Sequence, residues 1–364
     1  MKITQTLRQT LALSLIPGMG PVVFKNAMTV FGSLERIFGA SAAQWSQLQW
    51  HSRIPKSALE NPRLFEEVDR EIERAVKEKA FIVTLFDEEY PSELKEIYDP
   101  PILFYVKGSW PVKQHPRIAV VGSRLASLYG LKMAEQISRD LAASGAVVVS
   151  GLAKGIDTAA HQGALSAKGV TFAVMGCGLS TIYPSDNKKL AERITESGAL
   201  ISEYGMKIGP NPGHFPFRNR IISGLSRAVL VAEAREKSGA LITADQALEQ
   251  GRDVYALPGP ADSAKSQGSN RLLKQGARFI TGAEDILQDY ALEFRKAKLS
   301  KKKMAVTEEE KKLLRCLEGL EPLHLDTLLE KSELPVGKAM GLLSVLAIKG
   351  AVQELPGKYF IGKE

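Results

Sequence analysis

Between Phe81 and about Tyr290 the chain alternates short β-branched runs with segments long enough for a helical crossover, and this alternation restricts it to an α/β sheet with helices on both faces. Strands are expected at Arg117–Val121, Ala146–Ser150, Thr171–Met175, Ala199–Ile201, Ala228–Val231 and Asp253–Ala256. Helices are expected between them at Tyr129–Ser144, Asp157–Lys168, Lys188–Glu196 and Gly239–Gln250. The expected fold class is therefore a doubly wound, mostly parallel α/β sheet.

A chain of 364 residues has room for more than this one domain. From Thr4 onward, Leu7, Leu11 and Leu15, then Val22, Val23, Ala27, Val30 and Phe31, recur at helix-face spacing, so residues 1–80 are expected to form a small helical domain. Its Ile16-Pro17-Gly18-Met19-Gly20 turn resembles a helix-hairpin-helix turn, in which glycines bring backbone amides to a DNA phosphate. It reads as well as a plain helix–helix turn, because the next cation is Lys25. Residues 81–292 hold the sheet, and 293–306, with Arg295, Lys296, Lys298 and Lys301–Lys303, read as a basic linker. Residues 307–364 resemble a winged helix, with helices at Thr307–Leu317, Leu325–Lys331 and Pro335–Lys349 and a wing from Val352–Leu355 and Tyr359–Ile361. The would-be recognition helix Val336–Ile348 is largely apolar, which suits a protein partner as well as a DNA groove.

Hydrophobic residues at 44% and charged residues at 24% describe a folded globular chain, and a net charge of +7 favours a polyanionic partner without requiring one. The cysteines, Cys177 and Cys316, have no companions at metal-ligand spacing, so neither a disulfide framework nor a zinc site is expected. A reducing cytoplasm fits. The apolar run Leu11–Ile16 stops at Pro17-Gly18 and no later segment is long enough to span a bilayer, so neither secretion nor membrane insertion is expected.

The expected strand ends carry the chemistry. The first runs into Gly122-Ser123-Arg124 and the second into Gly151-Leu152-Ala153-Lys154-Gly155-Ile156-Asp157, each ahead of a helix. Ligands of parallel sheets bind at the carboxyl ends of strands, and helix N-termini there favour anions. Arg124 and Lys154 add charge, and a guanidinium can also stack on a base. The competing explanation is that the glycines only permit tight turns. Arg218-Asn219-Arg220 follows Phe215-Pro216-Phe217, a combination suited to phosphates and stacked bases, with a buried salt bridge to Glu203 or Glu233 as the alternative. Ser238 and Gly239 open a further helix at a strand end. Gly176-Cys177-Gly178 lacks the third glycine of a dinucleotide fingerprint, so no cofactor is expected. Among the histidines only His161 sits in a motif-dense helix, four residues after Asp157, and a structural hydrogen bond fixing the Lys154 loop is a better account of it than acid–base catalysis. No catalytic residues are assigned.

Tyr90-Pro91, Asp99-Pro100-Pro101, Val120–Arg124, Ser150–Asp157 with His161, Phe215-Pro216 with Arg218–Arg220, Ser238-Gly239, Thr243-Ala244 and Pro258-Gly259 together resemble the DprA/Smf family. The resemblance implies a Rossmann-like central domain, a sterile-alpha-motif-like or helix-hairpin-helix-like front and a winged-helix tail. It implies a non-enzymatic homodimer that binds and protects single-stranded DNA, with double-stranded DNA as a further candidate, and that helps load RecA onto SSB-coated strands during natural transformation. The resemblance carries the family's G-S-R arginine onto Arg124, with Lys154, Arg218 and Arg220 as neighbouring basic positions. The stretch after Glu203 departs from the family, which usually has prolines there, and leaves the Met206–His214 loop undetermined. Two alternatives remain at this level. A nucleoside-monophosphate hydrolase would need a glutamate that Ser238–Ala244 does not offer, and a double-stranded-DNA regulator would act through the winged helix.

Overall fold

The computed structural model describes residues 2–46, 61–110, 115–290, 292–295, 307–317, 319, 321–348 and 351–362. The chain divides into two compact units, Met1–Ala297 and Lys298–Glu364. Most of the expected basic linker, residues 296–306, lies outside the described residues.

The first unit opens with helices α1 (Gln5–Leu15), α2 (Pro21–Phe31), α3 (Leu34–Gly39), α4 (Ala42–Ser46) and α5 (Leu64–Lys77). Next come β1 (Ala80–Thr84), α6 (Ser92–Lys95), β2 (Leu103–Gly108), β3 (Arg117–Gly122), α7 (Leu128–Ala143), β4 (Val147–Ser150), α8 (Ile156–Ser166) and β5 (Thr171–Val174). The unit continues through α9 (Lys188–Ser197), β6 (Ala199–Ser202), α10 (His214–Gly224), β7 (Ala228–Glu233), α11 (Gly239–Glu249), β8 (Asp253–Ala256), α12 (Gln267–Lys274), β9 (Arg278–Phe279) and α13 (Ala283–Asp289). The strands form one sheet in the order β1-β2-β6-β5-β4-β3-β7-β8-β9. It is parallel from β6 to β9, while β2 pairs antiparallel with both β1 and β6.

Side chains alternate between the faces with the period of two that a pleated strand imposes. Ala119, Val121, Val149, Phe172, Val174, Ile201, Val229 and Val231 face one layer, with Ile221 and Ile222 of α10 and Leu241 and Ala244 of α11. Ile118, Val120, Val148 and Leu230 face the other, with Ile137 and Leu141 of α7 and Ala160 and Ala164 of α8. The expected doubly wound sheet is therefore present. Strands β1, β2 and β9 go beyond the expectation. Lys79, at φ 54, turns α5 into β1 without a glycine or proline to mark the boundary.

The front helices share their core with the sheet, since Leu11, Phe24, Ile37, Val68 and Ile72 pack in one cluster with Ile82, Tyr105, Ala173 and Leu200. Each such side chain contributes roughly 1.5–3 kcal/mol by leaving water, so this layer is integral to the first unit. In the α1–α2 turn the Met19 amide donates to Ile16 O at 3.0 Å, and both residues are buried.

The second unit has α14 (Glu308–Cys316), β10 (Leu323–His324), α15 (Leu325–Ser332), α16 (Val336–Ile348), β11 (Val352–Leu355) and β12 (Tyr359–Gly362). Its antiparallel order is β10-β12-β11 and its core holds Leu313, Leu328, Leu343, Leu346 and Phe360, as in a winged helix. A reciprocal cap between Thr307 and Glu310 starts α14. No described helix is long and apolar enough to cross a membrane.

Candidate nucleic-acid interface

From β3 the chain builds outward through β4, β5 and β6, then returns to the other side of β3 with β7. Connections that leave a parallel sheet in opposite directions open a crevice at the strands' carboxyl ends. A cavity of about 530 Å³ lies there, lined by Gly122, Ser123 and Arg124 after β3 and by Arg235, Lys237, Ser238 and Gly239 after β7. Tyr183, Phe215, Arg218 and Asn219 form its walls.

The two glycine-rich loops interlock. Gly155 adopts φ +81, and a Cβ there would collide with Ser123 O and stand 2.8 Å from Arg124 O, so only glycine lets α8 start against the Gly122–Arg124 loop. At Gly151 a Cβ would reach Arg218 Nη2 at 2.7 Å. The backbone amides of these loops depart from the sequence expectation, because several already have internal acceptors. Ser123 N–H donates to Glu233 O at 2.7 Å, and Gly151 and Ala153 donate to Asp157 Oδ2 at 3.1 and 3.2 Å. These donors shape the loops and are not open to a phosphate. The Glu233 carboxylate accepts the Ser127 amide and hydroxyl at the start of α7. Burial pushes the Asp157 carboxyl up, and the Arg218 charge opposes that rise.

His161 does not join Asp157. Its Nδ1 lies 2.7 Å from Thr171 Oγ1, whose own hydrogen goes to Val148 O, so Nδ1 is the donor and the bare Nε2 is sealed in the core. Burial drives its pKa down to about 3, which keeps the ring neutral.

The basic residues divide into exposed and enclosed. Arg124 is exposed, with its guanidinium 5.3 Å from the Phe215 ring centre and no acidic partner among the described residues. The Phe215 ring also meets Tyr183, ring centres 5.6 Å apart. Arg218 is only 3 % exposed although it lines the cavity. Its Nη1 donates to Gly151 O at 2.9 Å and to Val174 O, and its Nε to Asn219 Oδ1 at 3.2 Å, so it ties together the ends of β4 and β5. Burial pulls its pKa down to about 10, leaving it charged at neutral pH.

Arg220 departs further from the expectation. It does not line the cavity, and its 4 % exposed side chain is paired with Glu203 at 2.6 Å and Asp99 at 3.1 Å and stacked on Phe217 at 4.1 Å. Its charge is neutralised inside the fold. Lys154 is exposed, bound to Asp186 at 2.5 Å outside the cavity lining. Ser238 caps α11 by accepting the Ala240 amide, and Gly239 has open space around it. Arg235 and Lys237 are exposed and without an acidic partner among the described residues; the strand-end rule that singles out Arg124 applies equally to them, because they follow β7 directly. Among the described residues no group of three or more His, Cys, Asp or Glu could hold a metal ion.

The family model described as DNA recombination-mediator protein A matches residues 81–291, and that of the DprA winged helix domain matches 298–358. The chain belongs to the DprA/Smf family. It is 44% identical over 238 residues to the DNA processing protein DprA of Streptococcus pneumoniae, covering 64% of this chain and 84% of that one. The X-ray structure of DNA processing protein A from Streptococcus pneumoniae superposes with a TM-score of 0.65 at 38% identity, over 81% of this chain and all of the other. DNA processing protein A from Helicobacter pylori, whose structure is described for a unique single-stranded DNA binding mode, gives 0.53 at 31% identity, over 58% of this chain and 95% of that one. The DprA/Smf resemblance and the Rossmann-like fold read from the sequence are thereby established.

Proposed function

We propose that the crevice between the ends of β3 and β7 holds single-stranded DNA, and that the protein acts without catalysis as a recombination mediator. The observation that carries this reading is the convergence on one cavity, beside the Phe215 ring, of Arg124, Arg235 and Lys237, three exposed cations without an acidic partner among the described residues. Cations neutralise phosphates while an aromatic face accepts a base without regard to sequence. The Helicobacter relative, whose structure is described for single-stranded DNA binding, supports the ligand class. Gly122, Ser123, Gly151, Gly155, Ser238 and Gly239 shape the rim, Arg218 with Asn219 braces its wall, and Lys154 stands outside it, where a strand would have to draw it from Asp186. Arg220 acts from inside by holding α10 to Glu203 and Asp99. In the same reading the protein works in the cytoplasm as a homodimer and helps load RecA onto SSB-coated strands.

The test is fluorescence anisotropy with a labelled oligothymidylate over a range of salt. Each phosphate neutralised on a single strand contributes about −0.7 to the log–log slope, so Arg124→Ala flattens it by about 0.7. A slope equal to that of the wild type removes Arg124 from the interface.

A further inference from the structure

The loop between β6 and α10, left undetermined by its sequence, is held from the front of the chain. Glu71 of α5 is 3 % exposed, yet its carboxylate is fully engaged. Oε1 accepts the Met206 amide at 2.5 Å and Oε2 pairs with Arg74 at 2.9 Å. Met206 in turn is wholly buried, and its carbonyl accepts the Ser180 amide at 3.1 Å. Two residues on, Ile208 O accepts the Gly178 amide at 2.8 Å. The loop then runs to Pro212 and Phe215, both in the cavity wall, and its Tyr204 ring stacks on His214 at 4.1 Å.

We propose that Glu71 is a positioning residue for the DNA site: by fixing Met206 it sets the wall that carries Phe215, and so makes the helical front part of the interface without touching the ligand. The inference rests on the proposed DNA reading. A buried carboxylate that takes a backbone amide from a distant loop on one oxygen and a cation on the other fixes that loop, because the Met206 amide left without it would be an unsatisfied donor in the core.

The experiment uses the full chain and compares Glu71→Ala, Glu71→Gln and Arg74→Met. Loss of a support, unlike loss of a phosphate contact, weakens binding at every salt concentration alike. Glu71→Ala is expected to weaken oligothymidylate binding about tenfold with an unchanged salt slope, and hydrogen exchange at the Met206 amide of the free protein rises. Glu71→Gln keeps an oxygen for that amide and restores affinity to within about threefold. Wild-type affinity and protection in Glu71→Ala, a slope flattened by about 0.7, or failure of Glu71→Gln to rescue each overturns the proposal. Should Glu71→Ala not fold, Arg74→Met carries the test: weaker binding at unchanged slope supports the role, and wild-type affinity refutes it. Exchange at Met206 is read without DNA, so a wild-type protein that fails to bind oligothymidylate sinks the DNA reading separately.

Discussion

Replacing Arg220 by methionine separates a buried brace from a DNA contact. The variant keeps a long apolar stem against Phe217 but leaves Glu203, 14 % exposed, and Asp99, 23 % exposed, without their cation. Removing one member of a buried ion pair costs about 3–5 kcal/mol, and the partial exposure of Asp99 places this case near 3 kcal/mol. For a unit of this size that corresponds to a melting temperature lower by roughly 6 °C. The deficit should also depend on pH. Burial already raises the Glu203 carboxyl above its ordinary value and the Arg220 charge opposes this, so without Arg220 it rises further. Between the unfolded and folded values the folded chain then holds the extra proton, and stability falls as pH rises through that window, by at most about 1.4 kcal/mol per pH unit. Chemical denaturation at about pH 5 and about pH 8 should give the smaller difference from wild type at the lower pH. The log–log salt slope for oligothymidylate should not change. A variant as stable as the wild type with a slope flattened by about 0.7 would show that Arg220 meets phosphate and refute the reasoning.

The double variant Arg235→Ala/Lys237→Ala should flatten the salt slope by about 1.4, twice the single-phosphate value, and a change below about 0.3 would move those residues away from the strand. Gly155→Ala combines a left-handed backbone with a collision at Ser123 O; it should lose about 2–4 kcal/mol in urea denaturation and weaken binding by displacing Arg124, and full stability would contradict the interlocked loops. Deleting residues 307–364 should leave most single-strand affinity, because Lys338 on α16 is already paired with Glu309; a loss beyond about tenfold would favour the winged helix as the DNA-binding part. A fragment beginning at Phe81 uncovers Ile82, Tyr105, Ala173 and Leu200 and should show no cooperative thermal transition, whereas a sharp one would mean that the front helices are dispensable for folding.

The parallel strands were legible because a strand buried on both faces is a near-continuous apolar run, and the runs at Ile118 and Ala228 have that form. The antiparallel pair β1 and β2 is less legible, although Phe81-Ile82-Val83 and Phe104-Tyr105-Val106 are β-branched and aromatic, because no turn residue announces β1 after α5. In the site, Arg124 is legible from its place after a strand, and the same rule points to Arg235 and Lys237 after β7. Glu71 carried no local signal: it stands in a helix with Glu66, Glu67 and Arg70 around it and reads as solvated surface.

Sequence alone determined the parallel strands β3 to β8 with the crossover helices α7, α8, α9 and α11, the glycine-rich turns and the family, since these depend on residue period and on neighbours along the chain. Only the tertiary structure decided which cations are free. Arg124 and Arg220 are the same residue type in comparable motifs, yet one faces an open cavity and the other meets Asp99 and Glu203. Whether a charge is available to a ligand depends on the acids that folding brings beside it, and those come from distant segments that no local pattern names.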